Sequence, residues 1–330
     1  MDNVINIVLD EAHVVKEWGG TFRTDYTKLG PLRYRFPWMI LYHAGSATVG
    51  NKMESELVKN LHLRKDSLAV MHCNTDRPNI FLVVKRMKHP ANSYEDLAFL
   101  IKKNLGPGDE SPPKFLVFFN SRAEAQAGAE YLRARLSPEL RDKIKWFHSG
   151  MTDEFREEEM HALIIGESFG EGSTDAAGMV SLLALRLLYI LTCLQGIDIP
   201  DIRIVVQYGA SKELSTYWQR AGRAGRDYSI DAVAILLVEP RYFDDEKEKM
   251  AQKAAEKTAG KRTADGQLQP ASSKRSRTGA TSRSAGTAKV PSDSRKLDKA
   301  MDDYINAERR PGKCRRKGCN DHFGNNNLRS

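Results

Sequence analysis

The sequence predicts an α/β protein built on parallel sheets. Three observations carry that expectation: short unbroken apolar runs rich in β-branched residues, helical patterns set between them, and polar or acidic residues where the runs end. A strand buried on both faces reads as a continuous apolar run, and in such sheets ligands gather at the carboxyl ends of the strands. "VINIVL" (4–9) is the first run and stops on Asp10-Glu11-Ala12-His13. "WMILYHA" (38–44) follows, then "NIFLVVKR" (79–86), "KFLVFFNS" (114–121), "IKWFHS" (144–149), "IRIVVQYG" (202–209) and "AVAILLVEP" (232–240). Helical patterns occupy 52–61, 94–104, 122–136, 153–164 and 213–222. "GPGDESPP" (106–113) reads as a loop inside a domain, the domain break is placed near Cys73–Pro78, and no internal repeat is visible.

The 330 residues suffice for two ordinary domains plus a tail. Their net charge of +8 is unevenly spread. Residues 1–250 hold 32 Lys/Arg against 35 Asp/Glu, whereas residues 251–330 hold 19 against 8. The stretch from about Ala251 to Ala300 is basic and rich in Ser, Thr, Ala and Gly, too poor in apolar surface to order itself. It is expected to be a solvated linker with non-specific attraction for nucleic acid. Cys73, Cys193, Cys314 and Cys319 form no disulfide framework, which points to a reducing compartment. Met1-Asp2-Asn3 leads into a strand without the basic start of a signal peptide. The one apolar block that invites a membrane reading, Val180 to Gln195, would span about 24 Å as a helix against a hydrocarbon core of about 30 Å, and it carries Arg186 at its centre.

Two adjacent carboxylates at a strand end, Asp10 and Glu11, suit a nucleotide site. The first can hold Mg²⁺ through water and the second can polarise an attacking water. A solvated strand end is the plainer reading. "QRAGRAGRD" (219–227) sets Arg223 and Arg226 three apart on an expected helix, which would turn both guanidinium groups to one side. Always-charged, bidentate arginines match a γ-phosphate whose charge redistributes in a transition state.

Together these stretches resemble a known family. "DEAH", "SAT" (46–48), "GIDIPDIRIVVQYG" and "YWQRAGRAGRD" are similar to motifs II, III, V and VI of superfamily-two helicases, and "EAHVVKEWGGTFRTDY" (11–26) with "DRPNIF" (76–81) narrows the resemblance to RecQ DNA helicases. The resemblance covers roughly residues 4–240 and implies RecA-like parallel sheets, with part of a first lobe at 1–75 and a second lobe at 76–243. A mostly basic linker (244–300) and the start of a helical zinc-binding subdomain (301–330) would follow. It implies Asp10 at Mg²⁺ and Glu11 as general base, with Arg223 and Arg226 as the other catalytic groups and Gln219 and Asp198 at the nucleotide. His13, Ser46 and Thr48 would couple ATP to DNA. Trp18, Phe22 and Arg23 resemble the aromatic loop that stacks on single-stranded DNA. Asn120, Ser121, His148, Ser149 and Thr174 resemble elements that contact the DNA backbone. Cys314 maps to the first zinc ligand; Cys319 and His322 are the nearby groups that could extend an incomplete site, and closed structural zinc takes four ligands. ATP, Mg²⁺, single-stranded or forked DNA and a nuclear location are thereby implied, and no membrane.

No Gly-Lys-Ser or Gly-Lys-Thr occurs in these residues, so the phosphate loop that cradles the β- and γ-phosphates is missing from them. Two functions therefore compete: an ATP-dependent 3′–5′ DNA helicase by descent, and a non-catalytic DNA- or partner-binding remnant. An RNA helicase of the DEAH class is a third reading, weakened by the aromatic loop and the Cys314 segment.

One stretch breaks the pattern. Removing residues 180–195 joins Met179 to Gly196 and yields "TDAAGMGIDIPDIRIVVQYG", an uninterrupted RecQ-like motif V. Val180 is encoded by GT plus any base, Gln195 is compatible with CAG, and sixteen codons preserve the frame, so the block reads as a translated intron. A true apolar helix is the alternative, and it would either cover the site or expose an apolar patch. Mature messenger RNA copied across this junction is expected to lack these codons. A dominant message that retains them would overturn the reading.

Overall fold

The computed structural model describes residues 4–10, 12, 29–36, 40–46, 51–148, 151–174, 199–264, 296–312 and 314–325. The block at 180–195 lies outside them. Strand β1 (Asn6–Leu9) pairs in parallel with β2 (Leu41–Ala44), Leu9 opposite Ala44. Helix α1 (Leu29–Leu32) lies between them in sequence, and α2 (Asn51–Asn60) follows, packing Leu57 and Leu61 against Ala12.

A six-stranded sheet forms the main body. It contains β3 (Ile80–Arg86), β4 (Phe115–Phe118), β5 (Ile144–Phe147), β6 (Gly170–Ser173), β7 (Ile204–Tyr208) and β8 (Ala232–Val238). The order is β3-β8-β7-β4-β6-β5, and every pairing is parallel. The α/β expectation is borne out. Alternation along a strand sends successive side chains to opposite faces, and β4 divides accordingly. Leu116 and Phe118 join one core with Met160 and Leu163 of helix α4 (Asp153–Ile164) and Leu214, Tyr217 and Trp218 of α5 (Leu214–Ala221). Phe115, Val117 and Phe119 join the other with Ala125, Ala129 and Leu132 of α3 (Arg122–Arg133).

Strand β6 was not expected from the sequence, because "GEGS" has no apolar run. Its glycines explain its place: a Cβ at Gly172 would lie 2.9 Å from the Ala125 carbonyl and 3.3 Å from the Phe119 ring, so only a bare backbone lets α3 approach. The helix expected at 94–104 is corrected. The chain forms two single 3₁₀ turns, Ala91–Ser93 and Glu95–Leu97, with Tyr94 left-handed between them. Asp96 accepts from the backbone N–H groups of Lys88 and His89, each at 3.1 Å, and holds that bend. The apolar spacing was real as a burial signal, since Leu97, Leu100, Ile101 and Leu105 are all buried.

The linker expected from about residue 251 is also corrected. Helix α6 (Asp244–Ala264) occupies its first residues, 251–264, on a sequence dense in the helix formers Ala, Glu, Lys and Gln, and residues 265–295 of the expected linker lie outside the described residues. Beyond it, α7 (Lys299–Ile305) and α8 (Arg315–Phe323) dock into the main core. Met301, Tyr304, Ile305, Cys319 and Phe323 share a cluster with Tyr217 and Trp218, with ring centroids 5.3 Å apart for Tyr217–Tyr304 and 5.7 Å for Trp218–Phe323. Arg310 forks onto Asp244 at 2.7 and 2.9 Å and reaches Asp302 at 2.7 Å, and its guanidinium holds the Asp244 carboxyl below the usual range. Arg316 bonds the Asp76 carboxylate and the carbonyls of Arg77 and Ile80. No helix among the described residues is long and apolar enough to cross a membrane.

This docking makes the last helix part of the fold rather than an appendage. Phe323→Ala is expected to lower unfolding stability by ~3–5 kcal/mol, the scale for emptying a buried aromatic site. Urea titration followed by Trp fluorescence reads it, and an unchanged midpoint would contradict the docking.

Candidate functional site

The two edges of the main sheet carry different groups. At the amino edge, α5 ends at Gly222, whose N–H donates to the Trp218 carbonyl at 2.9 Å. Arg223 and Arg226 therefore lie in the following loop, which corrects their expected place on a helix. The loop is pinned. Gly225, at φ +49°, donates to the Ile202 carbonyl at 2.8 Å, and its own carbonyl accepts from Asn79 Nδ2 at 2.7 Å and from the Arg77 guanidinium. A Cβ there would meet Asn79 Nδ2 at 2.8 Å and Ala232 Cβ at 2.9 Å. "DRPNIF" thus clamps the arginine loop through two of its residues. Both arginines line one small cavity with Glu171, Leu163, Ile199 and Ile202, so a shared side is reached by a pinned loop instead of a helical face.

At the carboxyl edge, Asn120 and Ser121 follow β4, His148 follows β5 and Thr174 follows β6. The Thr174 N–H donates to the Phe147 carbonyl at 3.3 Å, which holds two of these turns together. Ser121 caps α3: its Oγ accepts from the Glu124 N–H at 3.2 Å, leaving its own O–H as the group that can reach outward. Asn120 is exposed.

On the smaller sheet, Asp10 and Ser46 sit just past the carboxyl ends of adjacent parallel strands, bridged by bonds from Gly45 N–H to the Leu9 carbonyl at 2.9 Å and from Ala12 N–H to the Gly45 carbonyl at 2.8 Å. Asp10 is exposed. Gln219 is half-buried on α5. Glu11, His13, Trp18, Phe22, Arg23, Thr48, Ser149 and Asp198 lie outside the described residues. Cys314 is exposed and Cys319 is buried in the core, and among the described residues no group of three or more His, Cys, Asp and Glu could hold a metal ion.

Residues 95–228 match the helicase conserved C-terminal domain. The bifunctional 3′-5′ exonuclease/ATP-dependent helicase WRN of Mus musculus is 30% identical over 248 residues, 74% of this chain and 16% of that protein. The RecQ-like DNA helicase blm-1 of Caenorhabditis elegans is 31% identical over 224 residues, 67% of this chain and 19% of that one. The chain belongs to the RecQ helicase family. The probable ATP-dependent DNA helicase RecS of Bacillus subtilis is 29% identical over 241 residues, 72% of this chain and 42% of RecS. The RecQ chain described here therefore spans between 16% and 42% of the length of these relatives. Among solved structures, the DEAD-box helicase Mss116 bound to ssRNA and UDP-BeF shares the fold, with a TM-score of 0.50 at 19% identity over 72% of this chain and 44% of that one. The six-stranded sheet resembles the RecA-like C-terminal lobe of helicases.

One group in this RecQ lobe gave no sequence signal. Glu171 is completely buried on β6, and neither carboxylate oxygen has a hydrogen-bond partner. Burial, reinforced by the neighbouring Glu159, pushes its pKa from 4.5 to about 8. Glu159 itself pairs with Lys145 at 3.1 Å, so that lysine is engaged. Glu171 is thus protonated in the folded protein at pH 7 and ionised in the unfolded chain. The stability tied to this proton is complete below pH 4.5 and is lost as pH rises through about 8. Glu171→Gln is expected to flatten that dependence and to stabilise the fold by ~1–3 kcal/mol at pH 8. Urea midpoints measured from acid to mildly alkaline pH check it; parallel curves for the two proteins would refute it.

Proposed function

We propose that this chain carries the DNA-contacting second lobe of an ATP-dependent 3′–5′ RecQ-type DNA helicase, acting on nuclear DNA in recombination and repair. In this reading Asp10 holds Mg²⁺ through water, and its exposed carboxylate at a strand end suits a hard cation that keeps much of its hydration. Glu11 orients the attacking water, Arg223 and Arg226 stabilise charge on the transferring phosphoryl group, and Gln219 and Asp198 hold the nucleotide. Ser46, Thr48 and His13 carry the coupling. Trp18, Phe22 and Arg23 stack on unpaired bases, while Asn120, Ser121, His148, Ser149 and Thr174 follow the DNA backbone.

The observation that carries the reading is the division of one parallel sheet: polar turns after β4, β5 and β6 on its carboxyl edge, and a pinned arginine loop on its amino edge. Phosphate contacts position a protein on DNA, and short polar turns with exposed donors suit that task. ATP turnover needs more. A γ-phosphate must be cradled before arginines can act on it, and these 330 residues contain no Gly-Lys-Ser or Gly-Lys-Thr to do so. A second reading, for these 330 residues taken alone, is a non-catalytic DNA- or partner-binding RecQ remnant.

The purified chain is expected to bind single-stranded DNA weakly and to lose affinity steeply with salt, because each Lys or Arg on a phosphate releases counterions. Much of that salt slope is assigned to residues 251–317; because α7, Arg310 and Arg316 in that stretch hold the fold, the test replaces only the Lys and Arg of 265–295 with Gln, which should flatten the slope. ATP hydrolysis is expected to stay at background with or without DNA. Robust DNA-stimulated hydrolysis abolished by Glu11→Gln would sink the remnant reading, and the absence of any DNA binding at low salt would sink the DNA-contacting one.

A further inference from the structure

Gln207, on β7, is completely buried and lies between the two edges of the sheet. Its amide Oε1 accepts from Arg220 Nη1, on the same helix as Gln219 and three residues before Arg223. Its Nε2 lies within donating distance of Asn120 Oδ1 at 3.3 Å, of the Tyr208 carbonyl at 3.3 Å and of the Gly209 carbonyl at 3.0 Å. Asn120 in turn donates from Nδ2 to the Ala210 carbonyl at 3.2 Å. Arg220 is itself buried, with its guanidinium 5.6 Å from the centre of the Phe118 ring.

The chemistry of these groups fixes their polarity. A guanidinium only donates, so Gln207 must turn its oxygen toward Arg220. Its nitrogen then faces Asn120, which must answer with oxygen. That leaves the Asn120 nitrogen on the other side, with one N–H on the Ala210 carbonyl and a second N–H to give. A phosphate oxygen is an acceptor only, and an N–H is the partner it takes. One buried arginine on the helix that carries the arginine loop thus dictates, through one buried glutamine, which atom Asn120 offers at the opposite edge.

We propose that Arg220, Gln207 and Asn120 form a positioning relay that presents an Asn120 N–H to a DNA backbone phosphate and ties that donor to the helix bearing Arg223 and Arg226. The proposal rests on the DNA-contacting reading of the carboxyl edge. Neither Gln207 nor Arg220 touches DNA; both act through Asn120.

Two measurements on the full chain test it. The first is the side-chain amide signal of Asn120 in ¹⁵N-asparagine-labelled protein, identified by its loss in Asn120→Ala. Gln207→Glu keeps an acceptor for Arg220 and removes the donor to Asn120, so this signal should move strongly; Arg220→Lys, which removes the guanidinium that Gln207 Oε1 accepts from, should move it too. The second is affinity for an oligothymidylate strand at low salt. Asn120→Ala and Gln207→Glu should each weaken binding about fivefold, the scale of one exposed charge-assisted hydrogen bond, and the double variant should bind no worse than either single one. Gln207→Met, close in shape but without hydrogen bonds, guards against a carboxylate that unfolds the sheet and should give the same affinity loss. An unmoved Asn120 signal, or losses that multiply in the double variant, would overturn the relay. If the wild-type chain fails to bind the strand at all, the DNA-contacting reading and the phosphate role of the relay fall together. The amide signal then decides whether Arg220 still sets the polarity of Asn120.

Discussion

A parallel sheet offers no face to water. Its inner strands β4, β7 and β8 bury side chains on both sides, so both faces need helices, and the supply of helices determines how the rest of this chain is arranged. One face is closed by α3 together with the apolar turns around Leu97 and Ile101. The other is too wide for α4 and α5 alone, and the chain returns after α6 to complete it with Tyr304, Ile305 and Phe323. Because α5 is held between the sheet and those returning helices, the loop that leaves it has a fixed starting point. The arginines inherit that fixity.

The strands were legible because burial on both faces leaves an unmistakable text, as in "KFLVFF" and "AVAILLV". Helices α3, α4 and α5 were legible for the complementary reason that one apolar stripe repeats at helical spacing. What stayed hidden depended on neighbours that sequence does not name. Strand β6 is a strand because α3 needs a side-chain-free backbone beneath it. The segment at 94–104 is not a helix because the Asp96 carboxylate offers Lys88 and His89 a better set of bonds than a helical turn would. Candidate site residues that follow strands were found by resemblance and by position alike. Gln207, Arg220 and Glu171 were not, since the sequence does not say whether a polar side chain will be buried or will find a partner there.

Those three show opposite solutions to one problem. Arg220 and Gln207 sit in the core with their polar atoms matched to each other, so burial strengthens their bonds and gives them a single orientation. Glu171 is equally buried with nothing to bond, and it avoids the penalty by remaining neutral. Gln207 and Glu171 both lie on inner strands of the same sheet. The first arrangement transmits direction; the second contributes only a constraint on pH.

The seating of Cys319 has a kinetic consequence. Its sulfur is sealed beneath the contact between α8 and the sheet, while Cys73 and Cys314 face solvent. A thiol reagent should consume Cys73 and Cys314 at once and reach Cys319 only when α8 lifts away. The rate of that last reaction is then the rate at which this corner of the molecule breathes, set by local opening rather than by global unfolding. That reaction is a clock for the seam where α8 meets the six-stranded sheet.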